Sequence, residues 1–330
     1  MHRLRAAVLL MAVVIPGYRL AIPLARAADV VVTEYKADPS GAPFAVALEK
    51  GFFKKAGAGI TGVVSGSGGG TSVRDVIASD LGYGEVTASA AIAAIAHGQD
   101  IKIVDIGSQT LADISAIVRP DSPLRSLRDL AGKKWGITNP KSLGEMIAVL
   151  SVEKAGLKPD QVKRIALGSM GGELTALEHG LVDVAAVPIM LLHMQSAASY
   201  RILARSDDLP ALPPGVGVAT GELIRKNPER LRAILAARRQ AVQYLYAHPD
   251  QSAELLSPVY APLSTDNIRS LLHEMVEAKF WSEGRIDMQL LENAERAMRY
   301  VGMLDSKVDL NSMINASFLP QDLQGKEPAR

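Results

Sequence analysis

The most informative segment of the chain reads Val63-Val64-Ser65-Gly66-Ser67-Gly68-Gly69-Gly70-Thr71-Ser72. A short β-branched run leads into a glycine-rich loop, and Ser72 with Asp75 three residues later has the pattern of a helix capping box. We therefore predict a strand, a loop and a helix that begins at Ser72. Backbone N–H groups in such a loop, with a helix N-terminus behind them, favour an anionic or strongly polar ligand.

The N-terminal segment has the composition of an export signal. Residues 1–28 carry four arginines and no acid, an apolar run over residues 6–15, and a small-x-small site at Ala25-Arg26-Ala27. Pro16-Gly17 interrupts the apolar run well before the ~20 residues that a membrane span needs. We predict a signal peptide at residues 1–28, cleaved near Ala27, and a periplasmic protein; a transmembrane anchor is the alternative.

Charge and cysteine content exclude several classes of function. The chain has 36 basic and 35 acidic residues, so loss of the four N-terminal arginines leaves a slightly acidic protein. This balance argues against nucleic acid or an anionic membrane as a partner. The absence of cysteine excludes thiolate metal ligands, iron–sulfur clusters and a cysteine nucleophile. Because the histidines also lack metal-site spacing, we predict no metal, no cofactor and no enzymatic activity.

Strands and helices alternate along the rest of the chain, which predicts βαβ units on mainly parallel sheets. Two proline-rich segments, at residues 119–123 and 209–215, interrupt the alternation. We predict a first lobe at residues 29–119, a second lobe at residues 120–208, and a return to the first lobe at residues 209–330. Two lobes joined by two crossovers would enclose a ligand in the cleft between them.

Several motifs resemble, in order, those of a known family. Residues 47–57 read Ala47-Leu48-Glu49-Lys50-Gly51-Phe52-Phe53-Lys54-Lys55-Ala56-Gly57. This run is similar to the A-x-x-x-G-F-F-x-x-x-G segment of substrate-binding proteins of ABC importers, in the NMT1/THI5-like group for nitrate, sulfonates, taurine and thiamine precursors. Residues 98–104, 127–136 and 180–188 follow in the family's order. Residues 80–86 depart from the family's Gly-x-x-Asp pattern.

The resemblance implies both a fold and a function. The fold would be a two-lobed type II periplasmic-binding fold with a discontinuous first domain, in which each lobe has a mainly parallel sheet flanked by helices. The function would be capture of a small solute and its delivery to an ABC permease in the inner membrane, and we expect a monomer. Two alternatives stay open: an enzyme of the pyrimidine-synthase type, whose cysteine-rich iron motif is absent here, and a periplasmic sensor or adaptor.

Candidate ligand-binding residues follow the predicted strands or begin the predicted helices. The glycine-rich loop supplies the first group, and the loop before the predicted helix at residues 142–155 supplies the second. There Ser142 and Glu145 form a capping box, which an anion could share. The full set is Tyr35, Lys36, Asp38, Ser65, Gly68, Gly69, Thr71, Thr87, Ser89, Gln109, Asn139, Ser142, Leu143, Gly144 and Met170. We expect a small polar solute, anionic or heteroaromatic.

Three further predictions concern residues outside this set. We expect Phe52 and Phe53 to belong to the core rather than to stack on a ligand. We expect Asp183 to accept hydrogen bonds from nearby backbone. Basic residues around the predicted helix at residues 228–247, Arg238 among them, are predicted to form a solvated face.

Overall fold

The computed structural model describes residues 28–194, 199–205, 208, 211–261 and 263–324. The strands are β1 Ala28–Thr33, β2 Ile60–Gly66, β3 Tyr83–Thr87, β4 Ile101–Ile106, β5 Ile114–Val118, β6 Lys134–Ile137, β7 Lys163–Ala166, β8 Val184–Pro188, β9 Arg201–Ala204 and β10 Gly215–Thr220. The helices are α1 Ala42–Glu49, α2 Phe52–Ala56, α3 Gly69–Ala78, α4 Ala88–Ala96, α5 Leu143–Lys154, α6 Met170–Glu178, α7 Ile189–Met194, α8 Gly221–Lys226, α9 Pro228–Ala247, α10 Pro249–Leu256, α11 Thr265–Glu277, α12 Met288–Tyr300 and α13 Leu310–Met313.

The strands form two five-stranded sheets. In the first, ordered β2-β1-β3-β10-β4, β1 runs parallel to β2 and β3, whereas β10 runs antiparallel to β3 and β4. The second, ordered β7-β6-β8-β5-β9, repeats this plan with β5 antiparallel to both neighbours. Helices pack on the sheets through large apolar clusters. The predicted two-lobed α/β fold is confirmed, with one antiparallel strand inserted into each sheet.

The first crossover lies earlier than predicted. Strand β5, which we had placed in the first lobe, pairs with β8 and β9 in the second sheet. The chain therefore leaves the first lobe between β4 and β5, at residues 107–113, and residues 119–123 form a loop within the second lobe. The proline-rich segment at residues 119–123 suggested the wrong lobe boundary. The crossover at residues 107–113 is short, and no change of composition marks its position. The chain returns through β10, which lies between β3 and β4.

Local backbone geometry explains where two elements end. Strand β1 ends at Thr33, because Glu34 adopts a left-handed conformation with φ of 51°. Helix α1 ends before Gly51, whose φ is 68°. Phe52 and Phe53 are buried as predicted, and Asp183 Oδ2 accepts a hydrogen bond from the backbone N–H of Lys134 at 2.9 Å, also as predicted.

No helix among the described residues combines the length and the apolar character needed to cross a bilayer. The predicted signal peptide covers residues 1–28, of which residues 1–27 lie outside the described part of the chain.

A buried ion cluster lies where the first crossover leaves the first sheet. Arg238 of α9 is 1% exposed, and its Nε lies 2.9 Å from Oε2 of Glu85 and 3.9 Å from Oδ2 of Asp105. The guanidinium also donates hydrogen bonds to the carbonyls of Gly107 and Ser282, at 2.7 and 2.9 Å. The prediction of a solvated Arg238 is therefore wrong. Its position continues the apolar stripe of α9, whose other buried members include Leu231, Leu235, Val242 and Leu245.

We expect Arg238→Met to lower the free energy of unfolding by about 3–5 kcal/mol, because it leaves two buried carboxyl groups without their cation. A matched control is Arg225→Met, since Arg225 pairs with Asp100 at 3.1 Å with both side chains 66% exposed. Such an exposed pair contributes about 0–1 kcal/mol. Urea denaturation followed by circular dichroism measures both losses, and similar losses in the two variants would contradict the role given to Arg238.

Candidate functional site

The N-terminus of α3, which follows the glycine-rich loop, lies beside the N-terminus of α4, which follows β3. Gly68 is the N-cap of α3 and Thr87 is the N-cap of α4, and no side chain makes a capping hydrogen bond at either. Gly69 packs directly on Thr87: a Cβ added to Gly69 would collide with Thr87 Oγ1 and lie 2.9 Å from Cβ of Ala90. The carboxyl ends of β2 and β3 thus present two adjacent positive helix ends.

The capping box predicted at Ser72 is wrong. Helix α3 begins three residues earlier, so Ser72 lies buried in its first turn, and its Oγ donates to the carbonyl of Gly68 at 2.9 Å. Gly68 has a φ of 133°, which side-chain-bearing residues rarely adopt, and a Cβ there would meet no atom within 4 Å. Gly68 is therefore the loop residue that borders open space.

Helices α5 and α6 of the second lobe are capped by their own serines. Ser142 Oγ accepts from the N–H of Glu145 at 3.2 Å, and Ser169 Oγ accepts from the N–H of Gly172 at 3.1 Å. The Glu145 carboxylate accepts from the N–H of Lys141 at 2.6 Å, rather than from Ser142, and pairs with Arg164 at 2.9 Å. The N-terminus of α5 thus already has a carboxylate of the protein, whose charge Arg164 balances.

Three other candidate side chains are buried or hydrogen-bonded within the protein. Tyr35 is 8% exposed and packs against Gly41 in the apolar core, and burial, with a smaller effect of Glu49, raises the pKa of its hydroxyl to about 12. Gln109 Nε2 donates to the carbonyl of Lys279 at 2.8 Å, which fixes the first crossover. Thr71 Oγ1 accepts from Arg74 at 3.0 Å.

The remaining candidates differ in exposure. Lys36, Ser65 and Asn139 are exposed. Ser89 is buried in the first turn of α4, and Leu143 packs against an apolar cluster. Gly144 and Met170 lie in the first turns of α5 and α6, both partly buried. The structure therefore brings Gly68, Gly69 and Thr87 together.

A carboxyl pair at the first crossover escaped sequence reasoning. Asp38, in the loop after β1, accepts from the N–H of Ser40 at 2.7 Å, and its charge acts on the carboxyl of Asp113, which is 2% exposed. Burial first, then repulsion by Asp38, raises the pKa of Asp113 well above its usual range. The available signal was an aspartate inside the apolar run Leu111-Ala112-Asp113-Ile114.

Most of the chain matches a known protein family. Residues 38–252 match the family described as NMT1/THI5 like, which is well over half of the chain. The chain belongs to the NMT1/THI5-like family. The chain is 29% identical to a protein of Brucella abortus (strain 2308) that is named as a binding protein. The alignment spans 275 residues and covers 80% of this chain and 83% of that protein.

Solved structures of low sequence identity share the fold of this family member. The crystal structure of the periplasmic aliphatic sulphonate binding protein SsuA from Escherichia coli has a TM-score of 0.73 and 18% identity, covering 93% of this chain and 96% of that chain. The crystal structure of the desulfurization enzyme DSZB has a TM-score of 0.61 and 17% identity, covering 88% of this chain and 97% of that chain. The same architecture thus supports both binding proteins and at least one enzyme.

One buried carboxyl of this NMT1/THI5-like protein has no charged partner among the described residues. Glu173, in the first turn of α6, is 2% exposed and lies over Gly136, where a Cβ would come 3.6 Å from its Cγ. Burial alone raises the pKa of Glu173 to about 8. The folded protein therefore holds this proton at pH values where the unfolded chain has lost it.

We expect Glu173→Gln to stabilise the protein at high pH. Because the pKa is raised by folding, the wild type loses stability as pH rises from the ordinary glutamate value of 4.5 to about 8, and the amide removes this loss. The variant should exceed the wild type by more than about 1 kcal/mol at the upper end of that window and converge with it at the lower end. Urea denaturation at several pH values measures the difference, and a pH-independent gap would contradict the assignment.

Proposed function

We propose that this protein is an extracytoplasmic solute-binding protein of an ABC importer, acting as a monomer without catalysis. The observation that supports this most directly is the pair of N-termini of α3 and α4, adjacent and free of side-chain caps, at the carboxyl ends of β2 and β3. Strand ends of this kind are where ligands bind in α/β sheets. Family membership and a relative named as a binding protein add independent support.

The asymmetry of the two lobes indicates the chemistry of the solute. Helix N-termini stabilise negative charge and donate hydrogen bonds to it through free N–H groups. The first lobe offers two such ends, while the second lobe already has the Glu145 carboxylate at α5 and the apolar side chains of Leu143 and Met170 nearby. We infer a small solute whose anionic or acceptor group binds the first lobe and whose aliphatic or heteroaromatic part contacts the second.

The connections between the lobes are suited to closure on this solute. The two crossovers lie against each other, since the N–H groups of Gly107 and Ser108 both donate to the carbonyl of Gly215, at 2.9 and 3.2 Å. Adjacent crossovers act as one hinge. In this proposal the closed, loaded form is the one presented to the permease.

Native mass spectrometry of protein purified gently from its periplasmic fraction tests the function. We expect a co-purified small molecule that leaves on denaturation and shifts the melting temperature when added back. Recovery of the molecule chemically unchanged after long incubation supports binding. A new product mass would instead favour the enzyme alternative, and a complex with a receptor ectodomain would favour the sensor.

We expect Gly68→Ala to weaken solute binding at least tenfold while the protein stays folded. Alanine at a φ of 133° distorts the loop and places a methyl group in the open space before α3. The probes are short aliphatic sulfonates, carboxylates and nitrate, ranked first by their thermal stabilisation of the wild type, and isothermal titration calorimetry gives the affinity.

Gly98→Ala is the matched control for this measurement. Gly98 also has a positive φ, 84°, with no atom within 4 Å of an added Cβ, but it follows the opposite end of α4. Its alanine variant should retain wild-type affinity despite a comparable loss of stability. Wild-type affinity in folded Gly68→Ala would remove the glycine-rich loop from the site.

A further inference from the structure

Glu34 follows the strand that lies between the two strands leading into α3 and α4. Strand β1 runs parallel to β2 on one side and to β3 on the other, and these neighbours lead into α3 and α4. Glu34 is the first residue after β1, so it lies at the carboxyl edge of the sheet between the two strand ends. Because neighbouring strands are about 4.8 Å apart, the backbone of Glu34 lies about one strand spacing from each of those ends.

The backbone of Glu34 has a conformation that glutamate rarely adopts. Its φ is 51°, in the left-handed region that favours glycine. Its N–H donates to the carbonyl of Gly66, the last residue of β2, at 2.8 Å, and its carbonyl accepts from the N–H of Ala37 at 2.8 Å. Glycine would fit this position with less strain, so the glutamate side chain is present at a cost in stability.

The carboxyl group of Glu34 has no cationic partner from the protein. Within the part of the chain that the structure describes, its side chain forms no ion pair and no hydrogen bond. It does not cap α3 or α4, because neither helix receives a side-chain capping bond. The side chain is partly buried, and this burial, followed by repulsion from Asp38, raises the pKa of its carboxyl above the ordinary value. A cation placed against the carboxylate would oppose this shift.

A carboxylate of the second lobe shows the bonding that a structural role requires. Glu145 Oε2 accepts from the N–H of Lys141 at 2.6 Å, and Glu145 Oε1 pairs with Arg164 at 2.9 Å. Both oxygens of that carboxylate thus have partners within the lobe. Glu34 has neither a backbone N–H nor a guanidinium against its carboxylate among the described residues. This difference indicates that the partner of Glu34 comes from outside the chain.

We propose that Glu34 binds a positively charged amino group of the solute, while the anionic group of the same solute binds the N-termini of α3 and α4. This inference rests on the proposed function and adds the class of the solute, which is a small zwitterion. Since about one strand spacing separates Glu34 from each neighbouring strand end, the two charged groups are joined by two or three carbon atoms. An ammonium group bound to a partly buried carboxylate forms charge-assisted hydrogen bonds. Glu34 therefore distinguishes an amino-substituted anion from the same anion without the amino group.

Two pairs of small anions test this assignment by isothermal titration calorimetry. The members of each pair have the same carbon chain and differ only in the amino group: 2-aminoethanesulfonate against ethanesulfonate, and 3-aminopropionate against propionate. We expect the wild type to bind the amino member of at least one pair about tenfold more tightly or better, because hydrogen bonds to charged groups have this strength. Binding of nitrate or of the unsubstituted anions with no preference for an amino group would overturn the inference and leave the proposed function standing. Failure of every anion to bind would refute both.

Glu34→Gln tests the charge of the side chain while keeping its size. The preference for the amino member should fall to about one, because a neutral amide does not attract an ammonium group. Affinity for the unsubstituted member should stay the same or rise, since a negative charge near the helix ends has been removed. Glu49→Gln is the matched control, because Glu49 is an exposed carboxylate on α1 of the same lobe. A preference that survives in Glu34→Gln, or that is lost equally in Glu49→Gln, would overturn the proposal.

Glu34→Gly separates a role in binding from a role in folding. Glycine adopts a φ of 51° without strain, so this variant should melt at a temperature at least as high as the wild type while losing the preference for the amino member. Lys279→Gly is the matched control: Lys279 is exposed, has a φ of 49° and follows α11. It should keep the wild-type preference. A lower melting temperature in Glu34→Gly would show that Glu34 stabilises the fold and would overturn the proposal.

Discussion

The buried charge of Arg238 is the interaction on which the arrangement of the two lobes depends. A lone guanidinium in the protein interior would be prohibitively unstable, so it requires the carboxyl groups of Glu85 and Asp105 and the carbonyls of Gly107 and Ser282 around it. Burial, opposed by Arg238, raises the pKa of Glu85 to about 7. Glycines at 107 and 217 are required because a Cβ at either would collide with these carboxyl groups. One ionic cluster thus binds the central strands, a C-terminal helix and the start of the first crossover into a rigid base.

Lobe movement on this base is limited by two contacts outside the crossovers. Helix α12 packs between α4 of the first lobe and α5 of the second in one continuous apolar cluster, with Arg296 paired to Glu153 at 2.9 Å. Helices α7 and α11 meet through Glu274, which lies 3.3 Å from His193 and 3.4 Å from Arg205. Apolar packing of α12 tolerates sliding, whereas the ion pairs have a defined geometry. Both contacts therefore join the two lobes outside the crossovers.

The fold could be predicted from the sequence because strand and helix patterns alternate regularly along the chain. The alternation of strands and helices predicted the two lobes, each with its own sheet. The errors arose where tertiary geometry overrides a local pattern. Ser72 has the spacing of a cap, but the φ of Gly68 lets the helix start earlier. Arg238 is charged, but its helical phase places it inside. Asp113 could not be paired with Asp38 from sequence, since 75 positions separate them and no periodicity connects a loop to a crossover.

The capping pattern itself connects structure to function. A serine cap contributes about 1 kcal/mol to a helix, and α5 and α6 both have one. Helices α3 and α4 have Gly68 and Thr87 as N-caps without such a bond, although Ser65 near the end of β2 and Ser67 in the loop before α3 are close in sequence to the start of α3. Natural proteins depart from favourable local choices mainly at functional sites. In the proposed function, the N–H groups that α3 and α4 leave without a side-chain cap are the groups to which an anionic solute would bind, and the solute would then supply the stabilisation that a cap supplies in α5 and α6.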